Sequence, residues 1–151
     1  MTPSNKTGRI LAIDYGQRRV GLAISDQLRI LAQPLPTIKV TSLNQLLDKI
    51  GKIIIEKDVV EIVIGMPYHM KGTPGKTAQQ VTQFIQKLNK RFNIPVHQWD
   101  ERLTSVAAQR TIREMGKSPS RHKEKIDQIS AQLLLQSYLD YIKRRKTDQW
   151  Q

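Results

Sequence analysis

A chain of 151 residues without cysteine excludes disulfides and thiolate metal sites, and 25 Lys and Arg against 13 Asp and Glu give it a formal net charge of +12. Its apolar runs are far too short to span a bilayer, and the polar opening "MTPSNKTGR" contains no secretory core. One compact cytoplasmic domain over residues 1–151 is therefore expected, flexible at 1–8 and 143–151. A domain this basic points to a polyanionic partner, and with no basic amphipathic helix bearing bulky aromatics, nucleic acid is expected ahead of an anionic membrane surface or a mere solubility effect.

In chain order, residues 9–15 and 19–25 read as two strands joined by "GQRR", with Gly16 in the turn. "RILAQPLPTIK" can hold a third strand, which Pro34 and Pro36 confine to a sheet edge or make partly irregular. From Ser42, an N-cap, Leu43, Leu46, Leu47, Ile50, Ile53 and Ile54 recur at helical spacing. "VVEIVIGMP" suits a central strand closed by Gly65 and Pro67. Val81, Phe84, Ile85 and Leu88 form the stripe of a second helix ending near Asn89. "IPVHQW" is a short strand running into "DERLTS". Residues 104–115 read as helix, "GKSPSRHKEK" as a basic loop, and Ile126 to Ile142 as the last helix. A hairpin and an edge strand followed by alternating helices and strands predict an α/β mixed sheet, antiparallel first and parallel afterwards, flanked by helices. Ligands of such sheets gather at the carboxyl ends of parallel strands, where Asp14 stands.

"KGTPGKT" imitates the end of a phosphate-binding P-loop, but the glycine that motif needs five residues before Gly75 is Met70. The acids are more informative. Asp14 ends the first strand, Asp100 and Glu101 follow "VHQW", and Asp127 continues the apolar stripe of Ala131, Leu134 and Tyr138 on the last helix. Each has a plain explanation alone: Asp14 as a turn acid, Glu101 as a surface partner of Arg102, Asp127 as a first-turn acid favoured by the helix dipole. Converging, they would repel one another unless a cation intervened. Oxygen ligands alone, with His69, His97 and His122 at no ligand spacing, favour Mg²⁺ or Mn²⁺ and metal-assisted attack on phosphodiesters. Arg18, Arg19, Arg102, Arg110, Arg113, Lys117, Arg121, Lys123 and Lys125 would then hold a nucleic-acid backbone around the acidic centre.

"LAIDYGQRRVGLAISD", "IVIGMPYHMKGT", "DERLTS" and "KIDQISAQLLLQSYL" together resemble the YqgF family of bacterial RNase H-like proteins. The resemblance runs from about Ile10 to Tyr141 and implies an RNase H-like fold. It makes Asp14 the first-strand catalytic aspartate, Glu101 the glutamate of "DER" and Asp127 the aspartate of "KID", all three metal ligands. It implies a nuclease of ribosome biogenesis that processes the 5′ end of pre-16S ribosomal RNA, or a Holliday junction resolvase acting on branched DNA. The protein would be a monomer or a homodimer, and a resolvase requires the dimer. His69 and Lys71 stand where relatives often carry Asn and Asp, and Ser130 replaces a common alanine. Two other classes compete. "AIDYG" also resembles the first phosphate loop of sugar-kinase- and actin-like ATP-binding domains, whose second lobe this length does not supply. A non-catalytic RNA-binding or ribosome-assembly protein would keep the sheet and need no metal.

Overall fold

The computed structural model describes residues 8–67, 76–103 and 123–149. Its order is β1 (Arg9–Asp14), β2 (Arg19–Ser25), β3 (Ala32–Lys39), α1 (Leu43–Glu56), β4 (Val59–Met66), α2 (Lys76–Arg91), β5 (Val96–Asp100), a 3-10 turn (Glu101–Leu103) and α3 (Lys123–Gln149). The strands form one sheet in the order β3-β2-β1-β4-β5. The first three pair antiparallel, and β4 and β5 add in parallel. This is the expected mixed sheet, with β3 at the edge its prolines require.

Strand alternation sends successive side chains to opposite faces, so the sheet has two cores. Leu11, Ile13, Val20, Leu22, Ile62 and Ile64 pack under α1 and α2. Ile10, Ala12, Ala23, Val63 and Trp99 meet Ala131, Leu134, Leu135 and Leu139 of α3. Ser42 caps α1, its hydroxyl accepting from the Gln45 amide at 3.2 Å. Two glutamines fasten α3 across the start of β3: the Ala32 amide donates to Gln136 Oε1 at 2.9 Å, and Gln132 Nε2 donates to the Ala32 carbonyl at 3.1 Å.

The last helix is longer than the sequence suggests. It begins at Lys123, inside the segment read as a basic loop, and runs through Gln149 past the expected end at Ile142. Lys and Glu are good helix formers, and neither Gly nor Pro interrupts residues 123–149. The second helix similarly passes Asn89 to end at Arg91. The helix expected over 104–115 lies outside the described residues, as does the loop around the P-loop-like "KGTPG". No helix among the described residues is long and apolar enough to cross a membrane.

Candidate active site

In β1, Ile10 and Ala12 face α3, and Asp14 continues their parity at the strand's carboxyl end. In β5, Trp99 faces α3, and Glu101 follows two residues later at the start of the 3-10 turn. Asp127 lies on α3 with Ala131 and Leu134 at i+4 and i+7, on the stripe that covers this sheet face. Because α3 starts at Lys123, Asp127 sits a full turn inside the helix, so an acid placed for the helix-end dipole does not describe it.

Two glycines let the helix come this close. Gly21, the β2 partner of Asp14, lies beneath the backbone of Asp127: a Cβ there would stand 3.3 Å from the Asp127 Cβ and would collide with its carbonyl oxygen. Gly65, paired with Trp99, leaves room for Glu101, whose Oε1 would be only 2.7 Å from an added Cβ, and for Leu134. Each acid other than Asp14 thus rests over a glycine of the sheet.

The electrostatics tie the three acids together. Asp14 is pushed up from the ordinary 3.8 to about 7, by burial first and then by the negative charges of Glu101 and Asp127. Glu101 is also raised, by burial and then by Asp100. One cation enters the cluster from the protein itself. Arg19 Nε donates to Asp127 Oδ2 at 2.8 Å, with both side chains less than one-third exposed. Arg19 was expected on the nucleic-acid backbone; its described partner is an acid 108 positions away.

Arg102 does not pair with Glu101 as its sequence neighbourhood suggested. It forks onto Asp100 instead, through Nη2 to Oδ2 at 2.7 Å and Nε to Oδ1 at 3.0 Å, which holds Asp100 below the usual carboxylate range. Arg18 is exposed beside a cavity of about 420 Å³ that Arg19 and Asp127 line together with Tyr15 and Gln80. Neither Tyr15 nor Gln80 stands out in the sequence; Tyr15 stacks on Phe84 at 4.3 Å. Lys125 is exposed on the first turn of α3. Arg110, Arg113, Lys117 and Arg121 lie outside the described residues, as does the side chain of Lys123.

The donor set, carboxylates with a surplus of negative charge, suits a hard divalent cation. As the side chains stand, no three His, Asp or Glu groups among the described residues are close enough together to hold an ion. Asp127 Oδ2 is paired with Arg19.

Comparison with known proteins follows the same line. The RuvX family model, described as Holliday junction resolvase, matches residues 8–141. A protein of Ruminiclostridium cellulolyticum is 44% identical over 139 residues, 91% of this chain and 98% of that one. One of Koribacter versatilis is 41% identical over 138 residues, 91% of this chain and 90% of that one. Both carry the provisional name pre-16S rRNA nuclease. Among solved structures, the yeast mitochondrial Holliday junction resolvase superposes with a TM-score of 0.62 at 11% identity, covering 93% of this chain and 81% of that one. Thermus thermophilus RuvC bound to a Holliday junction gives 0.55 at 12% identity, covering 89% and 96%. Those two likenesses are of fold; with a family match spanning most of its length and relatives above 40% identity, the chain belongs to the RuvX (YqgF) family.

Proposed function

We propose that this protein is a nuclease that hydrolyses phosphodiester bonds in structured RNA, with Asp14, Glu101 and Asp127 as its catalytic residues and as ligands for Mg²⁺ or Mn²⁺. The observation that carries this reading is the gathering of three acids at one sheet end: Asp14 is pushed up to about 7 by burial first and then by the charges of Glu101 and Asp127, 87 and 113 positions distant in sequence (101 − 14 and 127 − 14). Buried acids gathered without an equal number of partners are costly to fold and are expected where a cation is to be received. When bound, the cation supplies activation of water and neutralisation of charge building on the phosphate oxygens.

The chain's own residues do the rest. Asp14 and Glu101, on strand ends, give the cluster a rigid base, and Asp127 closes it from the helix. Arg19 holds the Asp127 carboxylate beside the cavity that both residues line. Arg19 and Arg18 are then in place to hold a substrate phosphate beside the acids. The favoured substrate is precursor 16S ribosomal RNA, for which relatives above 40% identity are named, with cleavage at its 5′ end and a place in cytoplasmic ribosome biogenesis as parts of the same proposal.

The test is cleavage of end-labelled 16S precursor RNA in Mg²⁺ or Mn²⁺ by the wild type and by Asp14→Asn. The wild type is expected to cut and the variant to lose at least about a thousandfold in rate. Equal activity of the two, or none in either, contradicts the reading. The family model's description favours a second substrate, a four-way DNA junction. Paired cuts in a synthetic junction, made by a homodimer in sedimentation, would select it over RNA.

A further inference from the structure

A second basic feature lies outside the acid cluster. Between β3 and the C-terminal half of α1 runs a groove of about 420 Å³. Leu35 and Ile38 of the strand and Ile53 of the helix form its floor, and Lys39, Lys49, Lys52 and Lys57 form its rim. Lys49, Lys52 and Ile53 recur at i, i+3 and i+4, so one helical face supplies both rim and floor. The rim's acid, Glu56, is exposed and 4.0 Å from Lys52. The nearby Asp48 is engaged by Arg91 of α2, so its charge is already met.

The groove lies on the α1 face of the sheet, and the edge strand β3 separates it from the acids on the α3 face. Lys39 is the register partner of Arg19 across β2 and β3, and the Val40 amide donates to the Arg18 carbonyl at 2.9 Å. Arg19 and Lys39 thus stand side by side at the sheet edge, the one bonded to Asp127 and the other at the end of the groove. The four residue steps from Leu35 to Lys39 extend about 13 Å, room for a few nucleotides. Pro34 and Pro36 remove amide donors from the edge strand, which makes an added β-strand a poor occupant. The lining has no aromatic ring, so bases are not stacked there.

We propose that this groove carries the single strand flanking the cleavage site, its phosphates on the lysines and its riboses over the apolar floor. The proposal rests on the nuclease reading above and adds where the substrate goes after it leaves the acids.

The experiment uses the full chain and two RNA probes: a blunt hairpin, and the same hairpin with oligouridine tails of about a dozen nucleotides at both ends. Lys49→Glu with Lys52→Glu is compared with Lys87→Glu with Lys90→Glu on α2, an equal change of net charge away from the groove. The wild type is expected to bind the tailed probe more tightly. The groove variant should lose about tenfold or more on the tailed probe, with a salt slope shallower by about 1.4, two single-strand phosphate contacts at about 0.7 each. It should bind and cut the blunt hairpin as the wild type does, and the α2 variant should keep the tail preference. Absence of a tail advantage in the wild type, or equal losses from the two variants, overturns the groove proposal, and in that event an acidic protein segment is the better occupant. Failure of the wild type to cut 16S precursor RNA would instead bring down the nuclease reading and the groove with it.

Discussion

The two faces of the sheet are built from side chains of different size, and neighbouring residues in β2 display the contrast. Leu22 is fully buried under α1 and α2, in a face of Leu, Ile and Val. Gly21 is turned the other way, toward α3, in a face where Gly21, Ala12, Ala23, Ala32 and Gly65 stand among Ile10, Val63 and Trp99. Large branched side chains fill volume and supply hydrophobic stabilisation, about 1.5–3 kcal/mol for each fully buried one. Small ones supply less and permit a close approach. The face that carries the acids is therefore the one that gives up bulk, and it does so where Asp127 and Glu101 must reach Asp14.

The contrast can be broken from either side. Gly21→Ala sets a methyl group against the Asp127 carbonyl, a backbone atom that cannot rotate away. It should both destabilise the fold by about 3 kcal/mol or more and abolish Mn²⁺ binding; near-normal binding would mean that the close approach of α3 is not required. Leu22→Ala, one residue along, should cost a comparable 2–5 kcal/mol in urea unfolding yet leave the Mn²⁺ affinity of the folded protein unchanged. A parallel loss of affinity would show that the two faces are not separable.

The acid cluster works against folding, with a definite sign. Asp14 has a folded value of about 7 against an ordinary 3.8, so between those values the folded protein holds a proton that the unfolded chain releases. Stability from this group therefore falls as pH rises, and the penalty is complete above about 7. In metal-free buffer, Asp14→Asn should melt several degrees higher at pH 8, for a gain of at most about 4 kcal/mol, and show little difference near pH 4. A gain independent of pH would assign the effect to packing. Smallest of all is Arg19→Gln. Removing a partly exposed ion pair at Asp127 should tighten Mn²⁺ binding by the free protein up to about fivefold, the removal of a competing cation; unchanged or weaker binding would make Arg19 a pure orienting group.

Much of this was legible in the sequence, for a physical reason. The strand order puts Asp14 at the carboxyl end where ligands of such sheets gather, and helical spacing assigns Asp127 to the Ala131 and Leu134 stripe, so two acids stood out before any coordinates. What escaped depends on contacts between distant segments. That Gly21 serves as clearance is a property of a helix more than a hundred residues away. The choice of Arg19 for Asp127 and of Arg102 for Asp100 was hidden because every arginine near an acid looks alike in one dimension. The early start of α3 at Lys123 was masked by a charged run that reads equally well as a solvated loop.

The central claim is that Asp14, Glu101 and Asp127 act as one receptor for a divalent cation. Titration of Mn²⁺ into the wild type and into Asp14→Asn, Glu101→Gln and Asp127→Asn, followed by calorimetry, tests it most directly. Saturable binding by the wild type, weakened about tenfold or more in each of the three variants, is the predicted result. Binding that any one of these substitutions leaves untouched, or no saturable binding in the wild type, would contradict it.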